Sequence, residues 1–178
     1  MYWKIVTRSD GRARSLADKH YSRQHPGAFE FCPPGNNIVL LGQHDDALWV
    51  SHRSDPKAQL RMPRMDGFDC WDNPYFRNES GQLASEMIRE AIAITLWCWG
   101  TCNLPLDGFH SFVDTRKVRP TIRRGRPVFG YCFEKAGFTV SPVLTKKRKL
   151  LRYIISLEEL RAIMPVEPER ERQLRLFA

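Results

Sequence analysis

Three short stretches carry side chains whose types and spacing suit chemistry. Asp114 closes an apolar strand, Phe109–Val113, and is followed at once by Arg116, Lys117, Arg119, Arg123, Arg124 and Arg126. A carboxylate at the C-terminal edge of a strand stands beside the crossover that follows, where it can orient or deprotonate an amine or bind a metal. Neighbouring arginines would keep it ionised. Because Thr115, Arg116 and Lys117 come next, it reads equally as an Asx-type turn cap. His20 and Tyr21 end the first helix. A histidine titrates near neutrality and can shuttle a proton, although a His-Tyr pair also suits a helix end anchored on the core.

The third stretch, Arg77, Asn78, Glu79 and Ser80, precedes the main helix, where outward-pointing backbone amides welcome anions. Glu79 could accept a base's exocyclic amine or act as a general base, or be a solvated first-turn acid. Asn78 or Ser80 could be the N-cap. Of Phe129, Tyr131 and Phe133, only Tyr131 is assigned a pocket role, since aromatics at helical spacing otherwise belong to the core.

Charge sets the expected partner. The 178 residues carry a formal net charge of +8 and a pI near 9.5, and the commonest polyanionic partner of such a chain is nucleic acid. The excess is regional. Between Arg116 and Arg152, Glu134 is the only acid among twelve bases, which include the Lys146, Lys147, Arg148, Lys149 run. A face without acidic partners reads as phosphate-contacting. If about six of these bases touch phosphates, log K should fall with log salt at a slope of about minus five.

No apolar run approaches the roughly 18 residues of a membrane span, and no long apolar segment with a small-residue cleavage site marks the N-terminus for export. The expected compartment is the cytoplasm, here that of a bacterial host cell. Five cysteines without a CxxC pair read as reduced, mostly buried thiols. Cys98 and Cys102, four apart, could share a helix face with a histidine around a metal, but core packing is the favoured reading.

The elements that must position these residues follow from hydrophobic period and punctuation. Tyr2–Val6 predicts a strand, Asp10–His20 a helix, and Ile38–Leu41 with Leu48–Ser51 a hairpin through the turn Gln43–Asp46. Arg53–Met65 predicts a surface loop, Phe68–Trp71 a strand, Asp72–Ser80 a turn and Gln82–Trp97 the main helix. Phe109–Val113 predicts a central strand, and Pro127 with Gly137 bracket a helix. Phe138–Val140 and Leu150–Ile155 predict a terminal hairpin, and Ser156 with Glu159 a capping box for a helix ending before Pro165. The order predicts an α/β (α+β) fold with a mainly antiparallel central sheet flanked by helices. Residues 1–165 would form a single domain and 166–178 a charged tail without structure.

That order, with the phrase GYCFEKAGF, resembles the GNAT acyltransferase fold, in which a comparable Y-x-K-x-G-F helix end precedes the last strands. The GNAT acyl-CoA loop, Q/R-x-x-G-x-G/A, would fall near residues 72–82, where this chain has DNPYFRNESGQ with a single Gly81. One glycine does not build the run of amides that cradles a pyrophosphate, so the usual acetyl-CoA loop is not seen.

Among GNAT-like proteins the chain is similar to the phage Mom-like DNA-modification family, which converts adenine in DNA to an N6-carbamoylmethyl form. His20 with Tyr21, the turn Asn78, Glu79, Ser80, and Asp114 carry this resemblance. It implies a DNA-modifying transferase of a bacteriophage or prophage with an anti-restriction role, an adenine flipped from duplex DNA, and iron held by His20, Tyr21 and Asp114. Asp114, His20, Tyr21 and Glu79 are the expected catalytic groups. Arg77, Asn78, Ser80 and Tyr131 would bind substrate. The donor stays open between an acyl-CoA and an aminoacyl-tRNA, as does the oligomeric state, a homodimer included. Two other readings stand beside it: a GNAT-like N-acyltransferase acting on a protein, RNA or small amine, and a DNA-binding protein without catalysis.

Overall fold

The computed structural model describes residues 1–54 and 65–170. In chain order the elements are β1 (Trp3–Val6), α1 (Gly11–Asp18), β2 (Asn36–Gly42), β3 (Ala47–Arg53), β4 (Trp71–Asn78), α2 (Ala84–Trp99) and β5 (Phe109–Val113). β6 (Thr121–Arg123), β7 (Arg126–Val128), α3 (Tyr131–Ala136), β8 (Thr139–Val140), β9 (Leu151–Ile155), α4 (Leu157–Ala162) and β10 (Glu169–Arg170) follow.

The fold is mixed α+β. One sheet has the order β10-β1-β2-β3-β4-β5-β9-β8, with only the β1–β10 and β4–β5 pairs parallel, and β6 and β7 form a separate ribbon. The sheet is covered on both faces, which is why β2 and β3 read as nearly unbroken apolar runs. Their alternating side chains divide between two cores. Leu40, Ala47 and Trp49 face α2 and α3, while Val39, Leu41, Leu48 and Val50 face α1. α2 is fixed to the sheet by polar contacts as well as burial: the Trp3 indole donates to the Met87 carbonyl at 2.7 Å, and the Ser51 and Thr95 hydroxyls meet at 2.6 Å in the core. Among the described residues no helix is long and apolar enough to cross a membrane.

Local chemistry starts the helices. Asp10 caps α1 by accepting from the amides of Arg12 and Ala13, and Ser156 with Glu159 forms the predicted capping box of α4. Four expectations need correction. The predicted turn Asp72–Ser80 lies mostly in β4, whose Trp71, Asn73 and Tyr75 are buried in strand alternation. Its Pro74 is tolerated because the pairing with β3 shifts register between Val50↔Tyr75 and His52↔Asp72, so Pro74 falls where the ladder is already broken. Pro127 does not start a helix: it lies in β7, and α3 begins only after the left-handed Gly130. α2 starts from Leu83 without a side-chain cap, so neither Asn78 nor Ser80 is its N-cap. The tail is not wholly without structure, since the Val166 amide bonds the Ala93 carbonyl and β10 extends the sheet beside β1. Most of the predicted loop Arg53–Met65 and the end of the tail, 171–178, lie outside the described residues.

Candidate functional site

β4 and β5 run side by side for only three pairs, Trp71↔Phe109, Asp72↔His110 and Asn73↔Ser111. Beyond them β4 continues to Asn78 and β5 to Val113 without pairing to each other. Two parting strands leave backbone groups without ladder partners, and such groups must be satisfied from elsewhere. Here the segment after α1 supplies part of what is missing. The Tyr21 phenol donates to the Phe112 carbonyl on β5 at 3.2 Å and accepts from the Asp114 amide at 3.4 Å. The Ser22 hydroxyl lies 3.3 Å from the Pro74 carbonyl on β4 and 2.7 Å from His20 Nδ1. At the root of the split, buried Asn73 donates to the carbonyls of Val50 and Tyr75 at 2.9 and 2.8 Å and accepts from Ser111 at 3.4 Å.

Two cavities open on either side of this staple, of about 520 and 430 Å³. Both are lined by His20, Tyr21, Asn73, Pro74 and Phe112, so those five residues form the junction between them. The first cavity is walled by aromatic rings, Phe31, Phe68 and Tyr75 among them, and by His52, Asp72 and Arg148. The second runs from the start of α2, at Leu83, Ala84 and Ser85, to α3, and carries Arg119, Arg123 and Lys135. An uncapped helix start beside three cations favours an anion there.

The protonation states follow from the contacts. His20 is stacked on Tyr21 at 4.4 Å, and its Nδ1 accepts from the Ser22 amide, which leaves the ring proton on Nε2. Burial, aided by the Arg77 cation and opposed by the Phe76 carbonyl, lowers its pKa to about 4, so it is neutral at pH 7. Burial also raises the pKa of Tyr21 against the Asp114 amide, keeping the phenol protonated. His52 is the opposite case. Its Nδ1 lies 2.7 Å from Asp72 Oδ1 and its Nε2 3.0 Å from the Pro34 carbonyl, two acceptors that together call for both ring protons. Burial alone would lower its pKa, but the hydrogen bond and charge of Asp72 outweigh burial and raise it. In the first cavity, burial pushes the Cys32 thiol up to about 12 and raises Cys70 as well, so neither is a ready nucleophile.

Of the four residues expected to be catalytic, the structure brings His20 and Tyr21 to the junction. Asp114 lies next to Tyr21, but its carboxylate is closed by Arg116, at 2.8 Å from Nε and 2.9 Å from the second guanidinium nitrogen, and also takes the Arg116 amide at 3.1 Å. The Arg116 hydrogen bonds hold its pKa below the usual carboxylate range despite burial. The Asx turn and the ion pair account for it. Glu79 lines neither cavity: it sits in a surface cluster 3.0 Å from Lys19 and 2.6 Å from Arg77, and those two hydrogen bonds depress its pKa. Arg77 reaches back to the Lys19 carbonyl, and Asn78 and Ser80 bond one another in the turn before α2. Tyr131 does line the second cavity, under the guanidinium of Arg123 at 4.3 Å.

The iron implied by the family resemblance would need lone pairs of His20, Tyr21 and Asp114 turned to one point. Each is already engaged, His20 Nδ1 by Ser22, the phenol by main chain of β5, the carboxylate by Arg116, so the three do not fit a metal ion. Among the described residues no group of three or more His, Cys, Asp or Glu side chains is arranged to hold one.

Asn73, Phe112, Ser22 and the His52–Asp72 pair are the site residues that sequence reasoning missed. The alternation Trp71, Asn73, Tyr75 was the available signal, and the Asn73-Pro74 step, read as a turn, hid it. No protein-family model, curated protein or solved structure matches the chain.

Proposed function

We propose that the protein is a GNAT-like transferase that modifies DNA, adding a small acyl-derived group of the carbamoylmethyl type to adenine N6. The observation that carries this reading is the pair of cavities meeting at the parted parallel strands β4 and β5. Two chambers with one junction suit a reaction of two substrates whose reacting atoms must meet. The second chamber, with the α2 start and its cations, suits the phosphate-bearing donor. The first, of about 520 Å³ with aromatic walls, suits a base taken out of the duplex stack.

In the transfer, the amine nitrogen bonds the donor carbon, the donor's bond to its leaving group breaks, and the amine's proton ends on that leaving group. At the junction the Asn73 amide is held by main chain and fixes the walls at which the two substrates meet, and the neutral Tyr21 phenol is the donor suited to the leaving group once it releases the Phe112 carbonyl. Asp72, on the first chamber's wall, is the carboxylate placed to hold an exocyclic amine. Support for a nucleic-acid partner comes from the cationic rims. Among the described residues Lys117, Arg119, Arg123, Arg124, Arg126 and Lys146 to Lys149 form no ion pair.

Mass spectrometry of nucleosides from DNA of cells expressing the protein tests the proposal. A new adenine adduct is expected, and its level should fall about a hundredfold in Tyr21→Phe, a loss of the size that follows removal of one proton-transfer group. Unmodified DNA despite tight binding would leave only a DNA-binding role, and acylation of protein, RNA or a small amine instead would move the activity to another acceptor.

A further inference from the structure

Among the described residues the β6–β7 ribbon pairs only with itself. Its turn residues Arg124 and Gly125 both take left-handed backbone, φ 47° and 73°, the type I′ geometry that joins two twisted strands through two residues. Nearly all of it is exposed. Its facing is fixed by alternation: Thr121 and Arg123 line the second cavity, so Ile122 and its cross-strand partner Pro127 project from the opposite side. Ile122 is 65% exposed, with Arg123, Arg124 and Arg126 beside it and no acid between Asp114 and Glu134.

Single exposed apolar residues are ordinary, but this one couples with a proline on the outer face of an arm that carries only cations. Charge selects a polyanion. Shape selects the B-form duplex, whose major groove of about 12 Å admits a two-stranded ribbon, whereas the deep, narrow A-form groove does not. Apolar side chains of proteins that bend the duplex wedge between base steps and unstack them, the event that extrusion of a base requires. The arm itself borders the second cavity, and the turn that leads to it reaches the rim of the first, since the Arg116 guanidinium bonds the Arg148 carbonyl at 3.2 Å and Arg148 lines that cavity.

We infer that the ribbon is a duplex-DNA arm whose arginines contact phosphates while Ile122, backed by Pro127, enters the base stack and opens it beside the cleft. This inference rests on the DNA reading proposed above. The test uses the full chain and a duplex carrying 2-aminopurine, whose fluorescence rises when it is unstacked. The wild-type protein should bind and raise the signal severalfold. Ile122→Ala should bind within about threefold, because phosphate contacts dominate affinity, yet lose most of the rise. Ile122→Leu should keep it. Arg124→Gln with Arg126→Gln should lower the slope of log K against log salt by about two. All three positions are solvent-exposed, so melting curves should match the wild type.

An undiminished rise in Ile122→Ala, an unchanged salt slope, or duplex RNA bound as tightly as DNA would each overturn the arm. If nucleosides are modified while any of these holds, only the arm fails. If the base is unstacked by wild type and not by Ile122→Ala, yet no adduct forms, the arm stands and the transferase reading fails.

Discussion

Gly108→Ala is expected to destabilise the protein by about 4 kcal/mol, lowering the melting temperature by roughly 10–15 °C. Gly108 precedes β5 with φ +76°, and a Cβ built there would lie 2.0 Å from the Ile155 carbonyl oxygen and 3.0 Å from two further backbone carbons. Backbone cannot swing aside as a side chain can. Relief would mean moving β5 away from β9, against the pairing Phe109↔Ile155, or breaking the bond from the Trp71 amide to the Gly108 carbonyl that starts the β4–β5 contact. Gly27→Ala separates the two contributions. Gly27 has a similar φ of +83° but nothing within 4 Å of its Cβ, so that variant carries backbone strain alone and should lose only about 1 kcal/mol. Thermal melts of both proteins decide it, and equal losses would show that the close approach to Ile155 is not what Gly108 serves.

The second large effect is on pH. His20 has its pKa lowered to about 4 by burial, the Arg77 cation adding to it, whereas an unfolded histidine titrates near 6.5. A depressed folded pKa means that the unfolded chain takes up the proton first, so stability is lost as pH falls from about 6.5 towards 4. At about 1.4 kcal/mol per pH unit, the drop between pH 7 and 5 is about 2 kcal/mol. His110, also lowered by burial, adds in the same direction. Asp114 and Glu79, whose partners depress them, stabilise fully above the ordinary carboxylate range and lose that contribution only as pH falls through it, below this window. His52 has the opposite sign. Its pKa is raised by Asp72, so its contribution is complete below about 6.5 and is lost as pH rises through the folded value. Denaturant melts from pH 5 to 9 should therefore show a maximum near neutrality. His20→Phe, which keeps the stack on Tyr21, should flatten the acid limb, and Asp72→Asn the alkaline one. A wild-type stability that is flat between pH 7 and 5 would show that the His20 ring is hydrated.

The contrast between these two sites shows what the sequence made legible. Hydrophobic period identified β2, β3, α2 and β5, because their buried faces are built of contiguous or regularly spaced apolar residues, and the capping box at Ser156 carries its own signature. Gly108 is unreadable in that way: nothing local tells that a carbonyl 47 residues later comes within contact of its Cα. Proline misled twice for one reason. Pro74 falls inside the predicted turn Asp72–Ser80 and Pro127 at the predicted helix start, yet each sits in a strand where no ladder amide is required, at a register shift in one case and in a two-stranded ribbon in the other. At the site, His20 and Tyr21 were legible as chemical types but not as neutral groups, since their protonation comes from burial and from the main chain of distant strands. The carboxylates of Asp114 and Glu79 looked available only because their partners, Arg116 and Lys19 with Arg77, had no assigned geometry. Asp72 and His52 pass unnoticed in sequence because they meet only across two paired strands.

The staple between the parted strands has an energetic corollary. Of the two hydroxyls beside the parted strands, that of Tyr21 donates to the Phe112 carbonyl, while that of Ser22 gives its one proton to His20 Nδ1 at 2.7 Å and lies 3.3 Å from the Pro74 carbonyl. At about 1 kcal/mol net for each of those two bonds, releasing both costs about 2 kcal/mol, so the two hydroxyls turn away together in about 3% of molecules. Neither bond belongs to the ladder pairs from Trp71 to Asn73. Under the transferase reading proposed above, passage between the chambers waits on those two rotamers, so changes at the junction should slow the reaction more than changes to the outer walls.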